Sequence, residues 1–246
     1  MKKLFSKLFH KKKKEAHPFC SAIVAAAGSS RRMEGENKLL LPLDGIPVLA
    51  RTLMALNGAE LVDEIVVAVR EEDLLPTGDL CRIYGVSKPV KIVRGGETRL
   101  ASVLAASLEC REDAAFLAVH DGARPLATPE LIDRVITLAY RTNAAAPGVP
   151  VKDTIKVVRD GKVESTPPRE TLQAIQTPQV FDAALLRGAL QAAVTVGEEV
   201  TDDCSAVERL GKEIYLTDGS YENIKITTPE DLLLAEELLS RREDEE

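Results

Sequence analysis

The sequence predicts an α/β fold: a mostly parallel sheet with helices on both faces. Three observations carry this. Short apolar runs alternate with stretches of helical periodicity in βαβα order. The strand-like runs are too apolar to leave one face in water, as in a sheet covered on both sides. The core must come from Val, Ile, Leu and Ala, because Trp is absent and aromatic residues are only 4% of the chain. With 246 residues, 45% hydrophobic and 29% charged, one large domain over residues 19–246 is expected behind a tail of residues 1–18.

Taken in order, Ile23 to Ala27 is the first predicted strand. VLARTLMAL (Val48 to Leu56) is an amphipathic helix and EIVVAV (Glu64 to Val69) a second strand. VKIVR (Val90 to Arg94) gives a third strand and TRLASVLAASLEC a helix, before AFLAV (Ala115 to Val119) as the fourth strand. ELIDRVITLAYR follows Thr128-Pro129, where Thr caps a helix and Pro suits its first turn. After Pro150 the alternation breaks. DTIKVVRDGKVEST has period-2 patterning on both sides of Asp160-Gly161, a two-residue hairpin signal. A lone hairpin is marginal in water, so an arm at about 150–168 that embraces a second subunit is expected. A helix from Asp182 to about Thr195, a strand EIYLT (Glu213 to Thr217) and a final helix after Thr228-Pro229-Glu230-Asp231 complete the chain.

Charge divides the molecule. The first 14 residues, MKKLFSKLFHKKKK, hold seven lysines and no acid; without them 25 basic residues face 39 acidic ones, a net charge of −14. So acidic a body argues against nucleic-acid binding, which needs clustered Lys and Arg. The tail reads either as a solvated extension or as a basic amphipathic turn, with Leu4, Phe5, Leu8 and Phe9 on one face, able to touch an anionic membrane surface or RNA. Cys20, Cys81, Cys110 and Cys204 have no metal-ligand or disulfide spacing, which fits a reducing cytoplasm. There is no run of 18 apolar residues to span a membrane.

Ligands of such a sheet bind at the carboxyl ends of the strands. Behind the first strand, Ala26, Ala27, Gly28, Ser29 and Ser30 form a nearly side-chain-free turn whose N–H groups can cradle phosphate, with Arg32 and Lys38 close by in sequence. Neither GxGxxG nor GxxxxGK[ST] is present there, which leaves an ordinary basic surface loop open as the other reading. HDGARP (His120 to Pro125) puts Asp121 just past the fourth strand, where a carboxylate can hold Mg²⁺ or a ribose hydroxyl. RGGETR (Arg94 to Arg99) sets two glycines before a helix, and NIKITTPEDL presents Lys225 on a strand before the last one. Each alone can equally be a turn, a tight bend or an edge-strand lysine.

In order, AAAGSSRRM…NK, GGETRLAS, HDGARP, KDTIK, TPQVF, TDDCSAVERLG and NIKITTPEDLLLAE resemble the 2-C-methyl-D-erythritol 4-phosphate cytidylyltransferase family, over roughly Ser21 to Arg241. The resemblance implies transfer of CMP from CTP to methylerythritol phosphate with Mg²⁺, on a Rossmann-like nucleotidyltransferase fold that is homodimeric through a protruding β-arm. It implies that Arg32 and Lys38 stabilise the transition state and that Arg169 and Lys225 position the acceptor phosphate. By the same resemblance Ala26, Ala27, Gly28, Ser29, Gly96, Glu97, Ser102, Asp121 and Gly122 hold the nucleotide, and Asp121 serves the metal. Arg124, Asp153, Thr154 and Thr201 join Arg169 and Lys225 on the acceptor side. Asp153, Asp202 and Asp203 could accept from the acceptor's hydroxyls, with a helix-capping role for Asp202 and Asp203 an equal alternative. Ser30 and Gly122 depart from many relatives, which carry Gly and Ala there. The nearest rival is a ribitol-5-phosphate cytidylyltransferase or another sugar-phosphate enzyme of the same fold, to be separated by its acceptor residues. A nucleotide-binding regulator tethered by the tail is opposed by Arg32, Lys38, Arg169 and Lys225, and an NAD-dependent oxidoreductase by the missing glycine fingerprint.

Overall fold

A computed structural model describes residues 17–28, 37–197 and 200–245. The buried apolar runs become strands because each hides both faces. β1 (Cys20–Ala26) is followed by the short pair β2 (Pro42–Leu43) and β3 (Ile46–Pro47), then α1 (Val48–Gly58) and β4 (Glu64–Val69). Next come α2 (Leu74–Ile83), β5 (Val90–Arg94), α3 (Arg99–Glu109), β6 (Phe116–Asp121), α4 (Pro129–Thr142) and β7 (Ala144–Pro150). The hairpin is β8 (Val157–Arg159) and β9 (Lys162–Ser165). After it stand β10 (Gln173–Ile175), β11 (Gln179–Asp182), α5 (Ala183–Val196), α6 (Asp203–Glu208), β12 (Tyr215–Asp218) and α7 (Pro229–Glu245).

The eight-stranded sheet has β5, β4, β1 and β6 in parallel. β11 runs against both β6 and β7, and β10 pairs with β7 on the same side as β11. β12 lies parallel on the other flank of β7, since Ala145 pairs with Val180 on one side and Tyr215 on the other. The alternation of side chains divides the core in two. Ala22, Val24 and Ala26 of β1 pack with Leu49, Leu53 and Leu56 of α1 and Ile132 and Ile136 of α4. Ile23 faces the opposite layer, with Val103 of α3 and Leu186 and Leu190 of α5. Each of these large side chains is fully buried, contributing about 1.5–3 kcal/mol.

Local signals set the ends. Thr98 and Thr128 accept from the N–H groups of Ala101 (3.1 Å) and Leu131 (3.2 Å), starting α3 and α4. Asn143, at φ 65°, stops α4 and turns the chain straight into β7. Asp160 and Gly161 have φ of 50° and 74°, as the two-residue turn between β8 and β9 requires. The hairpin is exposed along its whole length.

Several elements differ from the expectation. β1 starts at Cys20, β12 starts two residues later than expected, and Asp121 closes β6 rather than following it. The sequence reading has no counterpart for α2, β7, β10, β11 and α6. β7 reads AAAPGVP, poor in strand-forming residues, yet Ala144 to Val149 are buried; tertiary burial overrides local preference. Lys225 is not on a strand: its segment pairs with no ladder and is tied to the loop after β6 by the Ile226 N–H to Ala123 carbonyl bond at 2.8 Å.

Candidate active site

A cavity of about 520 Å³ opens at the carboxyl ends of β1, β5 and β6. Its walls include Ala26, Ala27, Gly28, Lys38, Gly96, Glu97, Ser102, Asp121 and Lys225, nine of the expected residues, from five separate stretches of chain. Backbone closeness explains the glycine pair. A Cβ on Gly95 would lie 2.5 Å from the Ala27 methyl and 2.8 Å from Ser102 Oγ; one on Gly96 would lie 2.5 Å from the Ala101 methyl. The two glycines thus let the turn after β1 and the start of α3 pack together. Ser102 Oγ accepts from the Gly96 N–H at 3.1 Å and donates to the Thr98 carbonyl at 2.8 Å, fixing that bend. Gly122 is not part of the wall. It packs beneath it, donating to the Ala25 carbonyl at 3.0 Å, and an added Cβ would press on Ala26 at 3.2 Å. Lys38 donates to the Ile226 carbonyl at 2.7 Å, which sets its ammonium on the cavity wall.

Charge is concentrated on the floor. Asp121, 6% exposed, has Lys225 Nζ at 2.8 Å, Arg99 Nε at 3.4 Å and Arg124 Nε at 3.5 Å. Burial opposes its charge, yet Lys225, Arg99 and Arg124 together hold the carboxyl well below the usual carboxylate range. Arg99 also grips the fully buried Asp203 at 2.7 Å. Burial pushes the Asp203 carboxyl up despite that arginine. Arg124 donates to the Asn223 carbonyl at 2.6 Å, bracing the loop after β6 against the segment that carries Lys225.

Beside Asp121, His120 is completely buried. The Thr177 hydroxyl accepts from the Asp121 N–H at 3.1 Å and meets His120 Nδ1 at 2.9 Å. Burial pushes His120 down to about 4, with Asp121 opposing the fall and Arg124 adding to it. A histidine lowered from about 6.5 stabilises the fold above that value, and the contribution drains away as pH falls towards 4. The loss expected is ~3 kcal/mol. Urea midpoints at about pH 7 and about pH 4.5 test this: His120→Gln should show a smaller acid loss than the wild type, and equal losses would refute it. Asp203 has the opposite sign, since a raised carboxyl stabilises at low pH and loses that contribution as pH rises through its folded value.

Comparison with known proteins then decides the family. A family model described as 2-C-methyl-D-erythritol 4-phosphate cytidylyltransferase matches residues 20–241. The chain belongs to that family. Relatives of the same name include those of Bacillus cytotoxicus, 44% identical over 88% of this chain and 96% of theirs, and of Caldanaerobacter subterraneus subsp. tengcongensis, 45% identical over 90% and 99%. Among solved structures, the 4-diphosphocytidyl-2C-methyl-D-erythritol synthase of Anaerococcus prevotii superposes with a TM-score of 0.83 at 31% identity, covering 91% of this chain and 96% of that one. The cytidylyltransferase of Thermus thermophilus gives 0.74 at 33%, covering 89% and 98%.

Of the remaining residues expected of a cytidylyltransferase, those that are described lie apart from the cavity wall. Arg169, Asp153 and Thr154 are exposed near the base of the arm, with Arg169 Nη1 donating to the Lys152 carbonyl at 2.9 Å. Thr201 is exposed before α6. Asp202 caps α6, accepting from the Ser205 N–H at 2.9 Å within a reciprocal capping box, and Asp203 is the buried partner of Arg99. Ser29 and Arg32 lie outside the described residues. Arg99 and Thr227 line the cavity although the sequence reading gave them no role. A signal for Arg99 was present: a cation in the first turn of a helix opposes the helix dipole, so it needs anions of its own.

Proposed function

We propose that the chain transfers the cytidylyl group of CTP to 2-C-methyl-D-erythritol 4-phosphate. An oxygen of the acceptor phosphate bonds to the α-phosphorus as the bond from that phosphorus to the bridging oxygen breaks, and pyrophosphate leaves with the bond's electron pair. The observation that carries this reading is the cavity itself: a bare peptide bend at the end of β1, with Lys38, Arg99 and Lys225 on the wall and one buried carboxylate among them. Both reactants are anions. Fixed cations offset their repulsion and meet the charge that builds up on the α-phosphate. Lys38 supplies such a charge from a set position, and Lys225, paired with Asp121 at 2.8 Å, offers a second towards the acceptor phosphate. The backbone of Ala26, Ala27 and Gly28, with Gly96 and Ser102, holds the nucleotide, and Arg32 acts with Lys38.

Among the described residues no group of three or more His, Cys, Asp or Glu is placed to cage a metal. A Mg²⁺ ion needs only one or two carboxylates when substrate phosphates supply further oxygens, and Asp121 and Glu97 line the cavity. Those residues fit an ion shared with the triphosphate; when bound, it neutralises triphosphate charge.

The acceptor residues Arg169, Asp153 and Thr154 stand at an arm whose Val158 and Val163 face each other and are 57% and 61% exposed. This supports a homodimer in which the arm lies on a second subunit and brings these residues to its site, with Thr201, just before α6, on the acceptor side. In that arrangement Arg169→Ala should raise the acceptor KM roughly 10- to 100-fold, since a hydrogen bond to a charged group is worth about 1.5–3 kcal/mol. An effect confined to CTP would move Arg169 to the nucleotide side. Among the described residues no helix is long and apolar enough to cross a membrane. The four cysteines are free and buried, consistent with a cytoplasmic enzyme, and the seven lysines of residues 1–14 carry the charge to attract anionic lipid. Pyrophosphate release from CTP, measured with methylerythritol phosphate and with ribitol phosphate in parallel, tests the assignment. Turnover with ribitol phosphate alone would overturn it.

A further inference from the structure

We propose that Asp73 is a positioning residue of the reaction, fixing through Asn37 the backbone from which Lys38 projects. The inference rests on the role given to Lys38 above. Asp73 is the last residue of the 3₁₀ turn Glu71–Asp73 that runs into α2, and its side chain makes no capping bond. Both carboxylate oxygens instead accept from Asn37 Nδ2, each at 3.1 Å, and Oδ2 also accepts from Arg70 Nε at 2.8 Å. The residue is 6% exposed, so these bonds form with little competition from water. A buried carboxylate that gives both oxygens to a side chain 36 positions earlier ties that earlier segment to the start of α2.

What it holds is the approach to Lys38. Asn37 Oδ1 accepts from the Leu39 N–H at 3.2 Å, so one clamped side chain brackets the lysine's backbone on both sides. The Leu39 carbonyl in turn accepts from the Leu49 N–H at 2.9 Å, joining this turn to α1. Arg70 directly follows β4, next to β1, so the clamp is built on the same edge of the sheet as the cavity. The ammonium end of Lys38 is set separately by the Ile226 carbonyl at 2.7 Å. Both ends of the side chain are thereby located, and a small displacement of either moves the charge relative to the reacting phosphate. Misplacement by about 1 Å can cost 10²-fold in rate.

The test is a set of variants read by single-turnover pyrophosphate release and by CTP affinity, well below each variant's melting temperature. Asp73→Ala and Asn37→Ala should each lower kcat roughly 10- to 10²-fold with CTP affinity unchanged. The double variant should be no worse than the weaker single one, because both cut the same tether. Asp73→Asn, which keeps an acceptor for Asn37, should recover most of the loss. In a Lys38→Ala background Asp73→Ala should cost nothing further, an outcome that general loosening of the fold would not give. If Asp73→Ala does not fold, Asn37→Ala in both backgrounds carries the same test. A full additional loss in the Lys38→Ala background, an unchanged kcat in Asn37→Ala, or a loss of CTP affinity alone would overturn the proposal. Failure of the underlying reading looks different: a wild type that releases no pyrophosphate, or a Lys38→Ala variant that turns over normally.

Discussion

Lys38→Ala is expected to lower kcat by about 10²–10³-fold while CTP still binds, because a single preorganised donor at a developing anion is worth that much. Lys38 Nζ donates to the Ile226 carbonyl at 2.7 Å, on the rim of an open cavity where water can replace that bond. The methylene stem leaves no void in either layer of the core, since neither contains it. The charge therefore matters when negative charge accumulates at the α-phosphate, and less when CTP merely sits in the cavity with its other contacts intact. That is the signature of transition-state binding: kcat and kcat/KM fall together. Lys38→Arg should restore only part of the rate, as a planar fork cannot put its charge where a compact ammonium stood. Isothermal titration of CTP beside steady-state pyrophosphate release checks both halves. Normal turnover, or a loss explained by CTP affinity alone, would remove Lys38 from the chemistry.

How far the sequence foretold this site depends on what kind of physics placed each residue. The strands β1, β4, β5 and β6 were legible because continuous apolar runs leave few alternatives, and their carboxyl ends located Asp121 and the Ala26–Gly28 turn. The Asp160-Gly161 turn was legible from local conformation alone. β7 was not: its alanines and prolines have little strand preference, and its partners come from β10, β11 and β12, all later in the chain. The same reason hid the charge network. Asp203 meets Arg99 across 104 positions and Asp73 meets Asn37 across 36, so no spacing rule reports them. Asp202 and Asp203 were weighed together as caps or acceptor ligands; the fold separates them into a true cap and a buried ion-pair partner. Lys225 was found through its motif, but its segment, which has no ladder partners, reads from sequence as a strand.

The second large effect concerns Asp121 and falls on stability. Asp121→Asn should destabilise the unliganded protein by about 3–5 kcal/mol, the cost of removing one partner from a buried charge cluster. The substitution keeps the shape of the side chain and removes the one negative charge shared by Lys225, Arg99 and Arg124. Asp203 still neutralises Arg99 at 2.7 Å, so the uncompensated charge falls mainly on Arg124 and Lys225. Burial already pushes Arg124 down, and without Asp121 that pressure is unopposed. For a chain of this length, each kcal/mol moves the melting temperature by roughly 2–4 °C, giving a fall of about 6 °C or more. The sign of the acid limb follows. A carboxyl held below its usual range stabilises above its unfolded value and loses that contribution as pH falls through the folded one, so the variant should lack the lowest part of the wild type's acid transition. Anions should partly rescue it. Pyrophosphate entering the cavity meets the unneutralised cations and should raise the variant's melting temperature more than the wild type's, by linkage. A variant as stable as the wild type at neutral pH, with no extra response to pyrophosphate, would mean that solvent already screens these cations and that Asp121 is not their common counter-charge.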